Sequence, residues 1–145
     1  MSWIAGFAER EFGSRLGVPH ALAILDGDRV HALNARLGYA HVDAVLEQIL
    51  AVAQERVRGY DGQAARLGDE FVLITPARQV EAMRSAIADM RKVAAEGHMS
   101  LSVGVAVGSG TEVVARADTE MFRSKKDSRR QRGDLGGESP TERHG

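Results

Sequence analysis

The chain has 145 residues, 43% of them hydrophobic, which suits one compact domain burying about two-thirds of its unfolded surface. It has no cysteine, which excludes disulfides and thiolate metal sites, and its 19 basic against 20 acidic side chains leave a net charge of −1, so bulk electrostatics do not recruit nucleic acid. No apolar run approaches the roughly 20 residues of a membrane span, and charges interrupt the first nine residues where a secretory segment would be apolar, so the chain reads as cytoplasmic with no membrane partner.

Residues 3–16 place Trp3, Ile4, Phe7, Phe12 and Leu16 at mixed three- and four-residue spacings, which predicts an amphipathic helix closed by Gly17, Val18 and Pro19. Residues 21–25 are all apolar, too few for a buried helix, and lie between Pro19 and Asp26-Gly27-Asp28; they predict a central strand. Residues 30–37 read as a short helix closed by Gly38, and residues 42–57 as a longer one with Val42, Val45, Leu46, Ile49, Leu50 and Val57 on one face. Gly59 and Gly62 break that period. Residues 63–66 and 71–75 then predict a hairpin joined through Leu67-Gly68-Asp69-Glu70, with Pro76 stopping its second strand. Residues 80–93 repeat the helical period, residues 99–107 alternate apolar and small side chains as a half-buried strand, and residues 111–129 form a last helix carrying Val113, Val114, Ala117, Met121 and Phe122. From Gln131 onward there is no apolar period and much Gly, Pro and charge, which predicts a disordered tail over residues 131–145 behind a single domain over residues 1–130.

The order α-β-α-α-β-β-α-β-α, a crossover, a hairpin and a second crossover, is the split pattern of ferredoxin-like α+β folds. It predicts a mainly antiparallel, palm-like sheet flanked by helices. In such a fold Asp26 ends the first strand beside Asp69 and Glu70 of the hairpin. Three carboxylates at adjacent strand ends repel one another unless a cation lies between them, and hard oxygen ligands favour Mg²⁺ or Mn²⁺. The same stretches also suit ordinary turns. The basic run at residues 123–132 is the obvious local anion site.

Taken together, these positions resemble the GGDEF domain of diguanylate cyclases, over residues 20–129. Arg66-Leu67-Gly68-Asp69-Glu70-Phe71 is similar to that family's signature, Asp26-Gly27-Asp28 to its acidic turn after the first strand, Ser102-Val103-Gly104-Val105-Ala106 to its S-x-G-x-A strand, and Ala117-Asp118 through Lys125 and Arg129 to its closing helix. The resemblance implies a stand-alone cyclase joining two GTP into cyclic di-GMP, with metal on Asp26, Asp69 and the Gly27 carbonyl, and Asp69 and Glu70 as catalytic residues. It implies GTP contacts from Asn34, Asp43, Gly68, Lys125 and Arg129, with Asn34 and the acceptor-only Asp43 reading guanine donors. It also implies a homodimer, because each protomer binds one GTP and two must meet. Arg58 and Asp61 resemble the family's product-inhibition site for cyclic di-GMP, with Arg66 and Arg91 as further cationic contacts.

The departures are Leu67 for the first glycine of the signature, His31 for a lysine, and Tyr39 and Val42 for the usual His and Gly near the guanine site. If the turn requires positive φ at Leu67, leucine costs about 1–2 kcal/mol there. The alternative implied by these departures is a degenerate domain that binds GTP or cyclic di-GMP without catalysis and reports it to a signalling partner. A palm-type cyclase making another dinucleotide is a third reading, against which Asp43 speaks.

Overall fold

The computed structural model describes residues 3–131. Its elements run in chain order as α1 (Trp3–Phe12), a 3₁₀ segment (Gly13–Gly17), β1 (His20–Gly27), α2 (Val30–Leu37), α3 (Tyr39–Arg58), β2 (Gln63–Leu67), β3 (Glu70–Pro76), a short 3₁₀ turn (Ala77–Gln79), α4 (Val80–Glu96), β4 (Leu101–Gly108) and α5 (Glu112–Gln131). The four strands form one sheet in the order β2-β3-β1-β4, and every neighbouring pair is antiparallel. The predicted α+β architecture and element order are both present.

The sheet is covered on both faces, which explains why β1 is apolar throughout instead of alternating. Ala21, Ala23 and Leu25 join Phe71 and Leu73 against α3 and α4, through Val45, Ile49, Val57, Met83 and Met90. The intervening Leu22 and Ile24 join Val72 and Ile74 against α1 and α5, through Ile4, Phe12, Val113 and Met121. The period of two in the strands thus feeds two separate cores. Gly104 permits the second of them. A Cβ at that position would come within 2.0 Å of the Ala117 carbonyl oxygen and 2.3 Å of the Met121 nitrogen, so α5 lies directly on the β4 backbone.

Four features differ from the sequence reading. The first helix stops at Phe12, because Gly13 adopts φ +51 and turns the chain into the 3₁₀ segment. Helix α3 begins at Tyr39, three residues early, directly after Gly38 with φ +89. Trp3 and Phe122, placed on apolar helix faces, are 85% and 50% exposed. Helix α5 still includes Gln131, and the remainder of the predicted tail lies outside the described residues. Among the described residues no helix is long and apolar enough to cross a membrane.

Candidate active site

The site forms where β1 ends. Antiparallel register puts Asp26 opposite Glu70 of β3 on one side and Ser102 of β4 on the other, so the central strand delivers its carboxylate between two neighbours. The next residue locks the hairpin turn in place, the Gly27 amide donating to the Asp69 carbonyl oxygen at 2.9 Å. Leu67 pairs with Glu70, leaving Gly68 and Asp69 as a two-residue loop. Of these, only Gly68 has positive φ, at +63. That is the sign pattern of a type II′ hairpin turn, which wants glycine at its first central position. Leu67 lies outside the left-handed region, so the strain considered for it is absent.

Carboxylates crowd this corner. Burial pushes the Asp26 carboxyl up to about 6, with Lys125 opposing and Asp69 and Asp28 adding to the rise. Burial likewise pushes Glu70 up to about 7, reinforced by Asp26, Asp69 and Asp118 and opposed by Lys125. The Lys125 ammonium lies 3.4 Å from Asp26 Oδ2, 3.4 Å from the Gly27 carbonyl oxygen and 3.1 Å from Asp28 Oδ1. With 17% of its side chain exposed, it is the cation that balances the acidic corner. Among the described residues no three acidic or histidine side chains converge closely enough to enclose a metal by themselves. Two carboxylates and a carbonyl remain, and Lys125 rests on two of that set, Asp26 and Gly27, as a stand-in cation. The donors are hard oxygens, and the buried Asp26 carboxylate among them lacks full compensation, so they fit a small divalent ion.

Asp28 was unassigned in the sequence reading. It is 5% exposed and accepts from Ser102 Oγ at 2.6 Å and Ser100 Oγ at 2.8 Å, while its own amide donates to the Ser100 carbonyl oxygen at 2.9 Å. These bonds clamp the turn after β1 to the start of β4 and hold Lys125 over Asp26. The Val103 amide donates to Ser124 Oγ at 3.1 Å, which ties α5 to the same strand. The two-residue spacing of Ser100 and Ser102 was the available signal, since it puts both hydroxyls on one strand face.

Asn34 lies on α2, and its Oδ1 is buried without a hydrogen-bond partner in the protein. Such an acceptor calls for a donor from a ligand or water. Asp43, one helix on, is 65% exposed and accepts from Arg66 Nη2 at 2.7 Å. Arg66 also pairs with Glu47 at 3.1 Å and donates through Nε to the Gly68 carbonyl oxygen at 2.6 Å. It therefore joins α3 to the hairpin turn. Arg129, one turn beyond Lys125 on α5, is exposed, and so is His31, on α2.

The four residues read as a product site do not come together. Arg58 pairs with Glu55 on its own helix at 2.9 Å, and Asp61, at φ +57, accepts through its carbonyl oxygen from Arg15. Both stand at the end of the sheet remote from Asp26. Arg91 donates to the Leu101 carbonyl oxygen at 3.2 Å and lines a cavity of about 430 Å³ with Asp28, Ser100, Arg123 and Ser124.

The family model for the diguanylate cyclase GGDEF domain matches residues 9–131. The chain is 31% identical over 121 residues to diguanylate cyclase DgcP of Pseudomonas aeruginosa, covering 74% of this chain and 18% of DgcP. It is 32% identical over 126 residues to the probable diguanylate cyclase DgcE of Escherichia coli, covering 76% and 11% respectively. The fold matches the GGDEF domain of DgcB from Caulobacter crescentus, solved in complex with c-di-GMP, at a TM-score of 0.63 and 25% identity over 86% of this chain and 78% of that one. The chain thus spans less than a fifth of the length of these two curated relatives.

Proposed function

The chain belongs to the GGDEF domain family, and from that premise we propose that it is a diguanylate cyclase condensing two GTP into cyclic di-GMP with release of pyrophosphate. The observation that carries the reading is the acidic corner at Asp26, Asp69 and Glu70 beside one lysine, with the Asp26 and Glu70 carboxyls raised by burial. In each of two steps a 3′-oxygen forms a bond to the α-phosphorus of the facing GTP, the bond from that phosphorus to the bridging oxygen breaks, and pyrophosphate departs. Glu70, with its carboxyl near 7, is suited to receive the 3′-proton at neutral pH.

Asp26, Asp69 and the Gly27 carbonyl would hold Mg²⁺ or Mn²⁺, which supplies charge neutralisation and alignment of the triphosphate when bound. Lys125 then exchanges its carboxylate partners for phosphate oxygens, with Arg129 one turn away on the same face of α5. The unpaired Asn34 Oδ1 accepts from a guanine donor, and Asp43 from the same base edge. Gly68 leaves the turn free of a side chain where nucleotide approaches. Each protomer positions one GTP, so turnover needs two protomers face to face. Use of GTP fits a cytoplasmic location.

A second reading is favoured by the Lys125 contacts: with Asp26 already neutralised from within, the domain binds GTP or cyclic di-GMP and passes the signal to a partner without catalysis. Incubation with Mg²⁺ and each NTP, followed by mass analysis, separates the two. Cyclic di-GMP from GTP alone, lost in Asp69→Asn with an unchanged circular dichroism spectrum, supports the cyclase. Nucleotide binding with no product supports the binding module, and equal turnover by Asp69→Asn removes the proposed metal site.

A further inference from the structure

At the opposite end of the sheet from the acidic corner lies a cavity of about 550 Å³, lined by Arg15, Val18, His20, Asp61, Thr75 and Arg78, with Pro19, Pro76 and Ala77 closing it. It joins four stretches of chain: the 3₁₀ segment after α1, the start of β1, the loop before β2 and the end of β3. His20 is 1% exposed, and its Nδ1 lies 2.8 Å from the Val18 carbonyl oxygen. A carbonyl oxygen only accepts, so Nδ1 carries the proton. In the neutral ring Nε2 is then a lone-pair acceptor, and it is buried with no partner. A buried, unpaired ring nitrogen on a residue that lines a cavity calls for a donor that the protein does not supply.

The charged lining is two arginines and one carboxylate, Asp61, whose Oδ2 lies 4.0 Å from Arg15 Nη2 and whose side chain is largely exposed. Arg15 is held in place by donating to Gln63 Oε1 at 3.0 Å and to the Asp61 carbonyl oxygen at 2.5 Å, and Arg78 is exposed at the rim. Thr75 is fully buried, its hydroxyl donating to the Pro76 carbonyl oxygen at 3.1 Å. Arg58 is not among the lining residues; it is turned onto Glu55. We infer that this cavity is a binding site for a small hydroxylated anion, whose phosphate or carboxylate pairs with Arg78 and Arg15 and whose hydroxyl donates to His20 Nε2. The volume suits a ligand of that size. The site stands on the same two strands as the catalytic corner, six residues or about 20 Å along β1 from Asp26, so occupancy at one end is distinct from GTP binding at the other.

The test is NMR on the full chain, following the His20 ring nitrogens and the amides of Thr75, Ala77 and Arg78 while glycerol 3-phosphate, propyl phosphate or lactate is added. Glycerol 3-phosphate or lactate is expected to move these signals saturably, the tighter of the two distinguishing phosphate from carboxylate. Propyl phosphate, lacking the hydroxyl, should bind about tenfold more weakly than glycerol 3-phosphate. Arg78→Ala, at an exposed position, should weaken the favoured probe by about tenfold while leaving the fold intact. His20 and Thr75–Arg78 signals that stay still at tens of millimolar probe overturn the site. So does an Arg78→Ala variant that binds as well as the parent, or a response confined to Ser102, Ser124 and Lys125 at the other end.

Discussion

Replacing Asp26 with asparagine should make the metal-free protein more stable near neutral pH while removing its response to Mg²⁺. Burial raises the carboxyl from 3.8 to about 6, so the ionised form is less favourable in the folded chain than in the unfolded one. The cost is absent below about pH 4, where both states are protonated, grows between about pH 4 and 6, and is complete above that range. Roughly two pKa units correspond to about 3 kcal/mol at most, and the 18% of the side chain still exposed brings the expected gain to about 1–3 kcal/mol. Lys125 keeps Asp28 as its partner at 3.1 Å in the variant, so no buried ammonium is left unpaired. Differential scanning fluorimetry should then show Asp26→Asn melting roughly 3–9 °C higher than the parent at about pH 7.5, with the difference vanishing near pH 4. Added Mg²⁺ should raise the parent's Tm and leave the variant's unchanged, because a ligand stabilises only the state that binds it. A variant that melts lower at neutral pH, or whose gain persists unchanged at pH 4, would refute the account of Asp26 as a carboxylate strained by burial.

Gly104→Ala should cost about 3 kcal/mol in urea unfolding, because its Cβ would collide with the backbone of Ala117 and Met121 and α5 would have to lift from β4. The same shift withdraws Lys125 from Asp26, so GTP affinity should fall with stability; unchanged stability would mean that α5 does not rest on the strand. Leu67→Gly relieves no left-handed strain and should lose about 0.5–1 kcal/mol through added chain entropy without raising turnover. A several-fold gain in cyclic di-GMP production would contradict this. Arg66→Ala severs the links to Asp43, Glu47 and Gly68, and should cost about 1 kcal/mol and speed amide hydrogen exchange in the Gly68-Asp69 turn. Exchange at the parental rate would show that the turn holds without that arginine.

Local pattern determined a good deal about this protein. The all-apolar stretch at residues 21–25, the helical periods at 42–57 and 80–93 and the glycine-centred hairpin each state their own conformation through side-chain period and turn chemistry, and these fixed the element order, the antiparallel sheet and the meeting of Asp26 with Glu70. Gly104 was visible as part of a motif, although its reason, the approach of α5, was not. What required the tertiary structure were relations between residues far apart in the chain. The sign of φ at Leu67 depended on which residue the strand register left in the turn. Trp3 and Phe122 fit apolar periods yet face solvent, because a period identifies a helix face without saying whether a neighbour covers it. Arg66 was grouped by resemblance with Arg58 and Asp61 as a further cationic contact, and it pairs instead with Asp43, 23 residues away. Asp28 is held by Ser100, Ser102 and Lys125 at separations of 72, 74 and 97 residues, and no local spacing encodes such a cluster. The raised pKa values of Asp26 and Glu70 belong to the same class, since desolvation is set by everything packed around a carboxylate and exists only once the chain has closed around it.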